Sequence, residues 1–148
     1  SEFKENFYTK KGDVFIATVD LTPELRVVGS PLIAPSSLEN ESIFSQDLLR
    51  LRTKTGEKIG SGFLFHWLKI RRGILKQWSS GTTVSRFPIS ALNRYPVLIP
   101  PREILQHFEK IYDSTQELLD LSETKMSNLS LTRDTLLPRL MSGKLEIN

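Results

Sequence analysis

Between Arg50 and Arg86 the chain carries nine basic residues, Arg50, Arg52, Lys54, Lys58, Lys69, Arg71, Arg72, Lys76 and Arg86, against a single acid, Glu57. A field of that sign on one module attracts polyanions, nucleic acid first. A solvated basic face with no ligand is the plain alternative. The basic run ends in "SGTTVSRFPIS" (80–90), where Thr82, Thr83 and Ser85 offer short hydroxyls and Gly81 lets backbone N–H groups approach a ligand. Arg86 can fork onto guanine or clamp a phosphate. The competing reading of this stretch is a hinge whose hydroxyls satisfy local backbone groups.

Other chemistry finds little support. His66 and His107 fall on different expected helices, with no partner at metal-ligand spacing. The absence of cysteine excludes disulfides, thiolate metal sites and a cysteine nucleophile. "IGSGF" (59–63) has a Gly-x-Gly pattern, but a polar turn precedes it and no third glycine follows, so a nucleotide loop is not expected. Glu123-Thr124-Lys125 has nuclease-like spacing, yet it lies on an expected long helix with no acid-bearing strand beside it. The residues suggest a reader of nucleic acid with no catalytic site, metal or cofactor.

The elements that must position these residues can be read from periodicity. "KKGDVFIATVD" puts a Gly-Asp turn before a β-branched and aromatic run, so a strand is expected over Val14 to Val19. "RVVGSPLIAP" is an apolar run broken by Gly29 and Pro31, which suggests a bulged or edge strand. In "DLLRLRT", Leu49 and Leu51 alternate with Arg50 and Arg52, the pattern of a half-buried strand with a basic outer face. From Ser61, an available N-cap, the period becomes helical: Leu64, Trp67, Leu68, Ile74, Leu75 and Trp78 share one stripe, with Lys69, Arg72 and Lys76 on the opposite side. Both Trp belong to the apolar stripe and are expected in the core. Arg71 also falls within it, as a snorkelling side chain or a local ion pair.

"PVLIPP" sets up a second helix, because proline suits the first helical turn. From Arg102 the stripe Ile104, Phe108, Ile111, Thr115, Leu118, Ser122, Met126, Leu129 is spaced 4, 3, 4, 3, 4, 4, 3. Near-heptad spacing predicts pairing with another helix, although Thr115 and Ser122 weaken the seam. Leu136, Leu137 and Leu140 extend the face, Pro138 disturbs it, and Gly143 is the expected stop. The charge divides along the same line. Residues 1–97 hold 14 Lys/Arg and 9 Asp/Glu, net +5, whereas residues 98–148 hold 6 and 8, net −2.

At 148 residues, 39% hydrophobic and 25% charged, the chain suits a small domain with one long appended helix. No apolar run approaches the roughly 20 residues that span a bilayer, and no signal-peptide pattern is present, so a cytoplasmic protein is expected. The opening Ser-Glu-Phe lacks an initiator Met and is expected to be a cloned or processed start, set aside in the fold reading.

"LTRDTLLPRLMSGKLEI" (131–147) closely resembles the C-terminal ending of the specificity subunit of type I restriction-modification systems. "KGDVFIATVD" (11–20), "SGTTVSRFPISALNRYPVLIPP" (80–101) and the long helix fit the same family in the same order. The resemblance implies an α+β fold: a target recognition domain (1–99), a mixed sheet with packed helices, then a projecting coiled-coil spacer helix (100–148). In that family two such units in one subunit each read half of a split double-stranded DNA target. Their antiparallel helices set the gap between half-sites and dock the methyltransferase subunit, with the restriction subunit joining the assembly. Catalysis belongs to those partners. The resemblance further implies that this chain corresponds to one unit, the C-terminal half, and is expected to start with the recognition domain already under way. An unpaired helix seam then implies self-association or pairing with the absent half through Ile104, Phe108, Ile111, Leu118, Met126, Leu129 and Leu136.

Overall fold

The structure, a computed structural model, describes residues 7–35, 42–53, 59–81 and 83–143. Lys54, Lys58 and Thr82 lie outside the described residues. The chain divides into two compact units, Ser1–Tyr112 and Asp113–Asn148.

In the first unit, β1 (Val14–Ala17) lies between β3 (Pro31–Ile33) and β4 (Leu48–Leu51). Strand side chains alternate between faces, and β1 has both faces covered, which is why all four of its residues are buried. Val14 and Ile16 join Val28, Leu68, Leu75 and Phe87 in the core. Phe15 lies on the other face, 4.9 Å from the Phe44 ring. The expected strand from Val14 to Val19 is interrupted at Thr18. There the backbone N–H and the hydroxyl both donate to Asp47 O at 2.8 Å, and Thr18 O accepts from Phe87 N at 2.8 Å. The chain thereby leaves one sheet and enters another, in which β2 (Val19–Asp20) pairs with β5 (Ser85–Arg86). Every described strand pairing is antiparallel, where a mixed sheet was expected.

The Pro31 segment is an edge strand, as the Gly29 and Pro31 interruption suggested. Gly29 takes φ +74° in the preceding turn, a conformation that glycine adopts without strain.

Helix α1 (Ser61–Leu75) packs Leu68 and Leu75 into the core, with Leu64, Trp67 and Trp78 partly buried against it. Trp67 and Trp78 each meet Tyr95 at 5.3 Å, and Trp78 stacks on Phe87 at 6.4 Å. Two details of the expected helix differ. Ile74 is 39% exposed, and the N-cap is Gly60 rather than Ser61, with no side-chain cap from the residue itself. A 3-10 turn (Lys76–Trp78) and short α2 (Ile89–Leu92) complete the path to the last helix.

Helix α3 (Arg102–Met141) is a single element of 40 residues, about 60 Å at 1.5 Å per residue. It starts after the double proline, with Leu105 N donating to Pro101 O at 3.1 Å. It runs through Pro138 and stops at Gly143, whose φ of +67° ends the helical path. In the second unit the hydroxyls of Ser122, Thr124, Thr132 and Thr135 donate to the carbonyl four residues back, at 2.7 to 2.9 Å. Ser122, the weak point of the predicted seam, is thus already satisfied within its own helix. The architecture is α+β with a long C-terminal helix. No helix among the described residues is long and apolar enough to cross a membrane.

Candidate nucleic-acid interface

Several of the arginines that made the sequence basic are engaged inside the first unit. Arg52 forks onto Asp13, with Nε and Nη2 donating to the two carboxylate oxygens. The Asp13 side chain is 2% exposed, and this hydrogen bond raises the Arg52 pKa above its ordinary value. Arg50 lies 3.9 Å from the same carboxylate, donates from Nη1 to Tyr8 O at 3.2 Å, and covers the Phe44 ring at 5.0 Å. Arg72, read from the sequence as part of a solvent-facing ridge, donates from Nη2 to the carbonyls of Leu25 and Arg26. Arg71, expected within the apolar stripe, is the exposed arginine, and Arg72, expected on the open ridge, is half-buried.

The remaining cations are more open. Lys69 is exposed, its ammonium 5.9 Å over the Phe65 ring, and Lys76 is half-buried. Arg86 is exposed on β5, with no ion pair among the described residues. Ser80 and Arg86 exchange backbone hydrogen bonds of 3.1 and 2.9 Å, a close pairing of these two residues. Gly81 makes that pairing possible. It has φ +137°, and a Cβ there would lie 2.1 Å from Val84 O. Thr83 is exposed and Ser85 half-buried, and no described hydrogen bond uses either hydroxyl. The ends of this stretch are therefore held through the backbone, and its exposed side chains Thr83 and Arg86 stay free of described side-chain bonds.

A second carboxylate, Asp20, organises the segment leading to Val28. It accepts from the Thr22 hydroxyl at 2.6 Å and from the N–H groups of Thr22, Val27 and Val28. The Thr22 hydroxyl is the largest cause holding its pKa far below the ordinary carboxylate value, with those N–H donors adding to it. Because the folded pKa is depressed, the stability it confers is present above about pH 4 and is lost as pH falls further.

Along α3 the predicted pairing residues are exposed: Ile104 59%, Phe108 36%, Ile111 56%, Leu118 66%, Met126 68%, Leu129 68% and Leu136 39%. Within the first unit, other residues of α3 pack against α1. Leu105 and Tyr112 are buried, and between them Glu109 accepts from Gly62 N at 3.1 Å and Phe63 N at 2.7 Å. Glu109 thus caps α1 from another helix, meeting the partial positive charge of its N-terminus. Sequence reading missed this face because a charged residue sits at its centre. The available signal was "IGSGF". A Cβ on Gly60 would lie 2.2 Å from Glu109 Cδ, and one on Gly62 would lie 2.5 Å from the Tyr112 ring. The two glycines are there for a close helix crossing. His66 is ringed by the edges of Phe65, Phe108 and Tyr112. The described residues hold no group of three or more potential metal ligands.

An α+β unit with basic residues on its strands and helix, followed by a long helix with an open apolar face, has the parts of a DNA specificity module. Residues 1–129 match the family model described as "Type I restriction modification DNA specificity domain", and the chain belongs to that family, a non-catalytic class. It is 33% identical over 67 residues, 45% of this chain, to the type I restriction enzyme MjaIX specificity subunit of Methanocaldococcus jannaschii. The match spans 16% of that relative's length.

Proposed function

We propose that this chain supplies DNA recognition and helix pairing to a type I restriction-modification assembly in the cytoplasm. Residues 1–99 read one half of a bipartite double-stranded target. Residues 100–148 form the spacer helix, which pairs with a second copy or with the other half and docks the methyltransferase and restriction subunits. The observation that carries this reading is the exposed apolar row from Ile104 to Leu136 along α3, in a chain of the specificity-domain family. Burying each such side chain fully is worth about 1.5–3 kcal/mol, so a helix pair has a strong drive to form.

On the DNA side, the exposed Lys69 and Arg86 and the half-buried Lys76 are proposed to meet phosphates or base edges, with Lys54, Lys58, Thr82, Thr83 and Ser85 alongside. Arg50, Arg52 and Arg72 contribute through whatever N–H groups their internal partners leave over. That engagement also supports a second reading, a protein-interaction module with no DNA binding of its own.

Light-scattering mass and duplex binding decide between the two. The chain is expected to self-associate, to bind duplex at low salt with steep salt dependence, and to gain a defined footprint with the methyltransferase subunit. Self-association without duplex binding at low salt would select the second reading. A monomer at high concentration would overturn the pairing claim.

A further inference from the structure

Beside the turn at Lys10–Asp13, a groove of about 320 Å³ runs between the end of β4 and the start of α1. Lys10, Lys11, Arg52, Thr53 and Ser61 contribute to its walls. Among the described residues, three cations line it against one carboxylate, Asp13. That carboxylate is already committed. It accepts from Lys10 N at 2.8 Å and holds the Arg52 fork, so its charge is offset within the fold. The fork in turn fixes the Arg52 guanidinium and leaves Nη1 as the one guanidinium nitrogen outside it.

Lys10 and Lys11 are exposed, with no ion pair among the described residues. Gly12, at φ +78°, turns the backbone beneath them, and a Cβ there would stand 3.3 Å from Ser61 Oγ. The glycine therefore keeps the groove open as well as making the turn. No described hydrogen bond uses the Thr53 or Ser61 hydroxyl. The N–H groups of Gly62 and Phe63 are taken by Glu109, so the attraction for an anion comes from the side chains and not from the helix end.

We propose that this groove seats a backbone phosphate of duplex DNA, with Arg52 as a pre-oriented donor at its floor and Lys10 and Lys11 closing over the anion. The inference rests on the DNA-reading function above and deepens it. A fixed guanidinium offers its remaining N–H donors in a set direction, whereas ammonium groups act as mobile point charges. Such a contact positions the duplex and carries no sequence information.

The test is anisotropy of a labelled random-sequence duplex against salt, for the unmodified chain and for Lys10→Ala/Lys11→Ala. Only the Lys10 backbone holds Asp13, so the turn survives the substitution. The double variant is expected to lower the slope of log affinity against log salt by about one and to weaken all sequences equally. Lys10→Glu/Lys11→Glu is expected to weaken binding further. A chain that binds duplex with an unchanged slope in both variants overturns the groove alone. Absence of duplex binding by the unmodified chain overturns the DNA reading and the groove with it. Inorganic phosphate at matched ionic strength separates the sources: phosphate binding that Lys10→Glu/Lys11→Glu abolishes while duplex affinity stays unchanged would mark a free-phosphate site, and that result overturns the assignment to nucleic acid.

Discussion

The two units dispose of their side chains in opposite ways. The first turns charge inward: Asp13 and Asp20 are buried, and Arg50, Arg52 and Arg72 spend hydrogen bonds on the chain itself. The second turns apolar residues outward, with Leu118, Met126, Leu129 and Leu131 each more than half exposed. A folded module uses its polar groups to satisfy its own loops, whereas an amphipathic helix has no interior until something pairs with it. Formal charge in a sequence therefore overstates what a partner can reach, and an open apolar row marks a partner more directly.

The inward half of this comparison is most exposed to failure at Asp13. Asp13→Asn keeps the shape but leaves Arg52 without its counter-charge, and removing one member of a buried pair costs 3–5 kcal/mol when both are deeply buried. The Arg52 side chain is 36% exposed, so water recovers part of that cost and a loss of about 2–3 kcal/mol is expected. Urea unfolding reads it as a fall in midpoint with little change in slope. An unchanged midpoint would mean that the pair is incidental, and Arg52 would then return to the pool of free DNA-facing cations.

Glu109 stands where the two dispositions meet on one helix. Glu109→Gln retains an acceptor but removes the charge from the α1 N-terminus, and Glu109→Ala removes both. Helix caps of this kind are worth about 1 kcal/mol, with a charge adding a few tenths. The alanine variant should therefore fall by about 1–2 kcal/mol and the glutamine variant by less than half of that. Equal losses would show that packing, and not the charge-assisted cap, holds the two helices. Self-association should be indifferent to both changes, because Glu109 is not part of the exposed row from Ile104 to Leu136.

What was legible in the sequence follows from distance along the chain. The edge position of the Pro31 strand, the alternation of Leu49 and Leu51 with Arg50, and the start and stop of α3 are local patterns, and they appear as read. Thr18, Glu109 and Arg72 depend on partners 29, 46 and 47 residues away, and no local period encodes those. The apolar row of α3 was visible because it is a local period, near-heptad apart from Thr115 and Ser122. The docking face was hidden because its central residue is charged.

The smallest predicted effect is also the sharpest, because it is a difference in sign within one helix. Glycine inside a helix is normally about 1 kcal/mol worse than alanine. At Gly73 a Cβ would meet nothing within 4 Å, so Gly73→Ala should stabilise the chain by about 0.5–1 kcal/mol. At Gly62 the same change places a Cβ 2.5 Å from Tyr112 Cγ and Cδ1 and 2.9 Å from Glu109 Oε2. Those ring atoms lie close to the α3 backbone, so relief requires α3 to move and Glu109 to release its cap. Overpacking of this kind costs about 1–3 kcal/mol, which exceeds the propensity gain and leaves Gly62→Ala destabilised by about 1 kcal/mol. Thermal midpoints of the two variants should therefore fall on opposite sides of the unmodified chain. If both rise, α3 does not press on α1 as closely as the Glu109 cap requires, and the helix carrying the exposed row would owe its placement to Leu105 and Tyr112 alone.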